Sequence, residues 1–213
     1  MSETAQQALV NHLVIVGHPS PVSFNAAIAK RFAEVARKQH HGVEVRDLYA
    51  LGFDPCLPEV ERLPAKDASP PPAIQDELDR IERADVIVFV YPLWFGTPPA
   101  IIKGYLDRVF GAAFRLDDLA AGGTGHFKGK RLVVLSTSAA TLPWLDSQGV
   151  WMSLRQSFEA YLETVFGFSS SDHYHASSIV DGMHDDDVAR VLMEVEEFTR
   201  RVCANAAMDK RRR

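Results

Sequence analysis

The chain has 213 residues, of which 46% are apolar and 24% are charged, and its formal net charge is −5. We expect a single domain over 1–213 with flexible ends at 1–10 and 208–213, and the acidic balance argues against a nucleic-acid partner. The longest apolar run is well short of the roughly 18 residues of a membrane span, and no secretory signal is visible. Cys56 and Cys203 form no disulfide framework and no C-x-x-C pair, so we expect a reducing cytoplasm and no metal site.

Apolar runs alternate along the chain with stretches of helical periodicity. The runs predict strands at 12–17, 42–49, 85–92 and 130–138, and a more polar fifth strand within 168–180. Periodicity predicts helices at 24–39, 73–83, 100–110, about 150–166 and from about 184 onward. The stretches 52–72 and 114–129 are predicted as long loops. This order predicts an α/β three-layer sandwich, a five-stranded parallel sheet with helices on both faces.

Ligands of such sheets bind at the carboxyl ends of the strands, so the loops after strands one, three and four are of interest. The first loop, "GHPSPVSFN", leads into a helix for which Ser23 is the natural N-cap. His18, Ser20, Ser23 and Asn25 can all donate hydrogen bonds beside the free N–H groups of that helix, as a phosphate cradle requires. A capped helix after an ordinary turn explains the same residues, and their spacing leaves both interpretations open.

The second loop, "YPLWFGTPPA", contains Tyr91, Trp94 and Phe95 just beyond a strand. Each aromatic residue alone is better explained as core, but the cluster favours a flat wall against a planar ligand. In the third loop, "STSAATLPWLDSQGVW", the residues Ser136, Thr137 and Ser138 could bond the polar edge of a ligand or the local backbone. A phosphate pocket, a flat wall and a polar edge together predict a flavin nucleotide site.

The segments "GHPSPVSFN", "DLYALGFDP", "ADVIVFVYPLWFGTPPAIIKGYLDRVF" and "GKRLVVLSTS" resemble the flavodoxin-like NAD(P)H:quinone oxidoreductases. The resemblance implies a homodimer with flavin at the subunit interface, FAD ahead of FMN, and one pocket used alternately by nicotinamide and quinone. It also implies three sets of cofactor-binding residues: His18, Ser23, Phe24 and Asn25 at the phosphates; Pro92, Leu93, Trp94 and Phe95 along the isoalloxazine; and Thr137, Ser138, Ala139 and Ala140 at its polar edge.

Two departures from the family pattern stand in the third loop. The family has T-T-G-G where this chain has T-S-A-A, so the loop must avoid positive φ or lie further from the ring. Leu145 and Trp151 occupy the positions of a Tyr and a His that some of these enzymes use to stabilise charge on the reduced flavin. We take these two residues and Phe114 as candidate substrate-binding residues.

The predicted activity is hydride transfer from NAD(P)H through flavin to a quinone-like or nitroaromatic small-molecule acceptor. A regulatory flavoprotein subunit of the potassium-efflux type, with low reductase activity, is the first alternative, and a one-electron carrier is the second. The H-x-H of His173 and His175 is interpreted as a surface pair rather than as metal ligands. "GGTG" at 122–125 is interpreted as a lid, and Arg115, Lys128 and Lys130 are candidate cations for a 2′-phosphate.

Overall fold

The protein is described by a computed structural model covering residues 10–61, 69–114 and 125–212. Five parallel strands form one sheet in the order β2-β1-β3-β4-β5. The strands span β1 Asn11–Val16, β2 Gly42–Asp47, β3 Val86–Pro92, β4 Arg131–Thr137 and β5 Ser170–Ala176. All five predicted strands are present, which confirms the α/β sandwich.

Position in the sheet explains the composition of each strand. Every residue of β3 and β4 is buried, because each strand has a neighbour on both sides and helices on both faces. β2 and β5 are the edges and are mostly half-buried, which is why β5 can be polar. The chain leaves β1 toward β2 and returns past it to β3, so the carboxyl ends of β1 and β3 flank the topological switch point.

The helices pack on the two faces and form two separate cores. One core joins α1 (Phe24–Lys38) and α6 (Asp185–Arg212) to the sheet. The other joins α2 (Pro72–Arg83), α3 (100–113) and α5 (150–166) to the opposite face. Across the described ranges, no helix combines the length and apolar character that a membrane crossing requires. The helices span α1 Phe24–Lys38, α2 Pro72–Arg83, α3 100–113, α4 Leu142–Ser147, α5 150–166 and α6 Asp185–Arg212.

Three features were not predicted. α4 lies inside the third predicted loop, where the Thr141 hydroxyl caps it by accepting from the N–H of Trp144 at 3.3 Å. Both α3 and α5 contain a π-helical segment, at Leu106–Phe110 and Arg155–Ala160. Such segments are frequent near functional sites. Within the predicted loop 52–72, a short 3-10 helix spans Glu59–Glu61.

Candidate functional site

A cleft of about 830 Å³ opens at the carboxyl ends of the central strands. It is bounded by the loops after β1, β3, β4 and β5. Of the predicted cofactor-binding residues, the structure brings together His18, Ser23, Phe24, Asn25, Pro92, Leu93, Trp94, Thr137, Ser138 and Ala139.

The N-terminus of α1 opens toward this cleft. Ser23 has extended backbone and its hydroxyl accepts from the N–H of Ala26 at 3.2 Å, which confirms Ser23 as the N-cap. The N–H groups of Phe24 and Asn25 precede Ala26 and have no acceptor within the helix. They and the helix dipole make this end of the cleft favourable for an anion.

His18 lies at the mouth of the same pocket and its orientation is fixed locally. Nδ1 of His18 lies 3.0 Å from the N–H of Ser20 and 3.2 Å from the Ser20 carbonyl. The ring centroid lies 6.0 Å from that of Trp94, which places an aromatic surface beside the imidazole.

Asn25 has a structural bond that the sequence did not reveal. Its side-chain amide donates to the Thr137 hydroxyl at 3.0 Å, and Asn25 is only 3% exposed. The bond ties the start of α1 to the end of β4. Asn25 thus lines the cleft as a clamp between two of its walls rather than as a freely presented donor.

The three aromatic residues of the second loop separate in the structure. Tyr91 is fully buried in the core, as the alternative interpretation of a single aromatic residue held. Trp94 lines the cleft and is 40% exposed, whereas Phe95 lies outside it and is fully exposed. The cause is a tight turn, in which Phe95 and Gly96 have φ of 53° and 79° and Trp94 and Thr97 are bridged. The predicted wall is therefore reduced to Trp94.

Ala139 and Ala140 of the third loop do not adopt the positive φ that the family's glycines would allow. Among the described residues outside glycine, positive φ occurs at His40, Phe95 and Ser178. Neither Ala139 nor Ala140 has this conformation, so the first of the two expected solutions is the one adopted. Ala139 lines the cleft, while Ala140 packs against the core.

None of the three candidate substrate-binding residues lines the cleft as the structure describes it. Leu145 is 3% exposed and belongs to the core. Trp151 packs over His173 and His175, with ring centroids 4.8 and 5.2 Å away. Phe114 packs against the Phe166 ring at 6.1 Å.

The fourth wall of the cleft, the segment after β5, was missed by sequence reasoning. The N–H of Ile179 donates to the Ser138 carbonyl at 2.9 Å and holds this segment beside the third loop. Asp181 brings an exposed carboxylate that suits ribose hydroxyls better than a phosphate. The predicted fifth strand could have indicated this wall, because the carboxyl end of a parallel strand beside β4 lies at the same edge of the sheet. Two further lining residues come from the first loop, Val22 and the predicted donor Ser20. The lining residues that follow β5 are Ile179, Val180, Asp181, Gly182, Met183 and Val188.

The H-x-H pair of β5 faces an internal network, although His175 is half-buried, so the surface interpretation was wrong. The side chain of His173 is 2% exposed and its Nδ1 lies 2.6 Å from Oε1 of Glu159. Both imidazoles contact the Ser136 hydroxyl, at 2.6 and 2.7 Å. The polar composition of β5 thus serves an internal network, and Trp151 covers it.

Two other expectations concern charged or flexible groups. Lys130 is buried and its Nζ donates to the Glu82 carbonyl at 2.8 Å, at the amino end of β4. This end is opposite the cleft, so Lys130 does not reach a nucleotide bound there. Arg115 and most of the predicted "GGTG" lid lie outside the described residues.

One group of metal-ligand side chains occurs in the described part of the chain, at the amino end of the sheet. Ligand atoms of His12, His41 and Cys203 lie within 4.8 Å of one another. Nε2 of His12 and Nδ1 of His41 are hydrogen-bonded at 2.8 Å, and burial raises the pKa of the Cys203 thiol to about 12. Because metals bind the thiolate, we interpret this group as a packed hydrogen-bonded pair beside a small apolar thiol.

The strand order and the position of the cleft define the flavodoxin-like class of doubly wound α/β proteins. Residues 10–201 match the family described as having a flavodoxin-like fold, and the chain belongs to that family.

Relatives and solved structures agree with the resemblance stated above. The chain is 34% identical to an uncharacterized NAD(P)H oxidoreductase of Haemophilus influenzae, over 86% of this chain and 90% of the relative. It is 32% identical to NAD(P)H dehydrogenase [quinone] 1 of Cavia porcellus, over 67% of this chain and 58% of the relative. The NAD(P)H:quinone oxidoreductase of Methanothermobacter marburgensis superposes with a TM-score of 0.77 at 25% identity, covering 92% of this chain and 96% of that one.

Proposed function

We propose that the protein is a flavin-dependent oxidoreductase that uses NAD(P)H to reduce a quinone-like or nitroaromatic acceptor. The observation that carries the proposal is the convergence in one cleft of an anion-accepting helix N-terminus, an exposed indole and a polar strand end. The names of the relatives support the same reaction class.

The described residues fit a flavin nucleotide. The N–H groups at the start of α1, with the His18 imidazole and the Ser23 cap beside them, would hold phosphate. Trp94 would lie against the isoalloxazine, and a cleft of about 830 Å³ is in the range of cofactor sites. When bound, the flavin would accept hydride from the nicotinamide and pass reducing equivalents to the acceptor.

FAD is the proposed flavin and FMN is the alternative, a preference that rests on the resemblance of the S-F-N loop. The proposal also includes a single domain over 1–213. It further includes a cytoplasmic location, which rests on Cys56 and Cys203 being free thiols.

A homodimer is part of the proposal and has support on the surface. Phe95 projects fully exposed beside a second hollow of about 590 Å³, which is lined by its own turn and by the start of α5. Two copies related by a two-fold axis could each insert Phe95 into the other's hollow. We expect light scattering after gel filtration to give twice the chain mass, and Phe95→Glu to give the monomer. A monomeric parent protein would refute this part.

One structural observation favours the regulatory alternative. Leu145 is buried and Trp151 covers the H-x-H pair, and neither side chain has a titratable group that would replace a Tyr and His pair. A regulator would bind flavin and nicotinamide yet turn over acceptors poorly. Measuring the Kd for nicotinamide and the kcat for acceptor reduction separates the two functions, because a regulator combines tight binding with a low kcat and a reductase does not.

The first test is a visible spectrum of the purified protein, before and after anaerobic NADPH and then a quinone. Bleaching followed by recovery supports the reductase, and the mass of the released flavin decides FAD against FMN. Trp94→Ala should weaken flavin binding about 3- to 10-fold, the value of an aromatic stacking contact. Trp144→Ala, at an exposed site outside the cleft, is the matched control. A protein that takes up neither flavin would refute the proposal.

A further inference from the structure

A series of buried polar side chains leads from α5 to the floor of the cleft. Nδ1 of His173 contacts Glu159 at 2.6 Å, and Nε2 of His173 contacts the Ser136 hydroxyl at 2.6 Å. That hydroxyl lies 2.7 Å from Nδ1 of His175, whose Nε2 lies 3.0 Å from Oγ of Ser138. We name this series the buried relay: Glu159, His173, Ser136, His175 and Ser138.

Four side chains of the buried relay are shielded from water, His175 is half-buried, and the relay reaches the cleft at one end. The side chains of Glu159 and His173 are each 2% exposed, and Ser136 is fully buried. The indole of Trp151 packs over both imidazoles. Ser138 alone among the five lines the cleft. A proton in the relay can therefore exchange with a cleft ligand through Ser138.

Counting donors fixes the direction of the hydrogen bonds. The Ala140 carbonyl can only accept, so the Ser138 hydroxyl donates to it, at 2.7 Å, and accepts from Nε2 of His175. Burial, with a smaller effect of His173, lowers the pKa of His175 to about 4, so this ring is neutral near pH 7. Its Nδ1 then accepts from Ser136, whose oxygen accepts from Nε2 of His173. The three bonds that link His173 to Ser138 therefore all donate in the direction of Ser138.

The far end of the relay holds one shared proton. With Nε2 of His173 protonated, the 2.6 Å contact between its Nδ1 and Glu159 Oε1 requires one further proton between them. Arg155 Nε lies 3.6 Å from the other Glu159 oxygen, and the Tyr91 hydroxyl is a buried group without a hydrogen-bond partner in the described part of the chain. Burial and the charge of Glu159 raise the pKa of Tyr91 well above its usual value, so Tyr91 stays neutral. Arg155 of α5 and Tyr91 of β3 therefore face the Glu159 end of the relay.

We propose that the buried relay holds one proton at the Glu159–His173 pair and delivers a proton from Ser138 to the acceptor in the cleft. The inference rests on the proposed function, because NAD(P)H, a quinone and one proton give NAD(P)⁺ and the hydroquinone. The Ser138 hydroxyl turns from Ala140 to the acceptor and gives up its proton, and His175 Nε2–H replaces it. Each donor behind shifts its proton one place, which leaves His173 neutral. Ser138 contacts the ligand, and the other four members of the relay are positioning residues.

The direction of the relay can be measured on flavin-free protein. ¹⁵N-histidine NMR near pH 7 should show His175 neutral with its proton on Nε2, and a strongly downfield proton shared by His173 and Glu159. Glu159→Gln should abolish the downfield signal. The control Glu163→Gln lies one helical turn further and bonds Ser171 instead, and should retain the signal. Finding the His175 proton on Nδ1, or a downfield signal that survives Glu159→Gln, would overturn the proposal.

The consequence for turnover is measured with the flavin-loaded enzyme. Ser136→Ala removes the middle link and should lower kcat for quinone reduction about 100-fold at pH 8. The loss should become smaller toward pH 6, where solvent protons replace the relay, and flavin affinity should change less than two-fold. If Ser136→Ala does not fold, Glu159→Gln tests the same step. A variant with parental kcat from pH 6 to 8 overturns the relay. A protein that NADPH cannot bleach refutes the proposed function instead, and the NMR result then decides the relay by itself.

Discussion

The hydrogen bond between Asn25 and Thr137 joins two walls of the cleft, and its removal should destabilise the protein measurably. Asn25 is 3% exposed and donates to the Thr137 hydroxyl at 3.0 Å. Asn25→Ala leaves that hydroxyl buried without its partner, which costs about 1–3 kcal/mol. For a chain of this length, each kcal/mol shifts Tm by about 2–4 °C, so we expect a Tm lower by about 2–12 °C.

A double-mutant cycle distinguishes this bond from simple loss of packing. Thr137→Val replaces the hydroxyl by a methyl group of similar size. When both partners are apolar, no unpaired group remains, so Asn25→Ala/Thr137→Val should cost at least about 0.5 kcal/mol less than the sum of the single variants. Urea unfolding of the flavin-free parent and the three variants, followed by far-UV circular dichroism, gives the change in unfolding free energy for each variant.

The control for this cycle removes a hydrogen bond at the surface. Ser147 donates to the Trp144 carbonyl at 2.8 Å in an exposed position, so Ser147→Ala should change stability by less than about 0.5 kcal/mol. The proposed hydrogen bond would be refuted if the stability losses of the two single variants summed to that of the double variant. It would also be refuted if the Tm of Asn25→Ala lay within 1 °C of the parent, because the smallest shift expected is roughly 2 °C. Because Asn25 variants are expected to be less stable, their flavin affinity has to be compared with their free energy of unfolding before a loss of flavin is assigned to a lost contact.

Two further predictions concern close packing and pH. A Cβ at Gly17 would lie 2.5 Å from Cγ1 of Ile102, so Gly17→Ala should lower the free energy of unfolding by about 1–3 kcal/mol. A Cβ at Gly111 would have its nearest atom at 3.9 Å, so Gly111→Ala is the control and should not lower it. Equal unfolding free energies for the two variants would contradict the close contact of Gly17 with Ile102. Burial lowers the pKa of His12 to about 3, so the unfolded chain binds a proton below pH 6.5 that the folded chain does not, and stability falls as pH falls from 6.5 toward 3. His12→Asn should reduce that slope by about 1.4 kcal/mol per pH unit near pH 5. A slope that is the same in the parent and in His12→Asn would refute the assignment.

The strands and most helices could be predicted because their patterns are local. A strand buried on both faces needs a continuous apolar run, and β3 and β4 have one. α4 was missed because six residues with a proline in the first turn show no periodicity, and only the Thr141 cap marks it. The bounds of α1 agree within one residue because Ser23 caps it and Phe24 begins its apolar stripe.

The candidate site could be located but not assembled in detail. Residue types after β1, β3 and β4 indicate where a ligand binds, since carboxyl ends of parallel strands converge. They do not say which way each side chain points. One tight turn sends Phe95 out of the cleft while Trp94 stays in it, and Tyr91 is buried because both faces of β3 are covered.

The sequence by itself determined the sheet, the crossovers and the edge at which a ligand binds, because hydrophobic periodicity and handedness are properties of neighbouring residues. Only the tertiary structure decided that Asn25 bonds Thr137, 112 residues away, and that a glutamate, two histidines and two serines form one series beneath the cleft. Such contacts depend on the side chains that adjacent strands and the helix above them present to the same space, and the spacing of residues along the chain does not encode that.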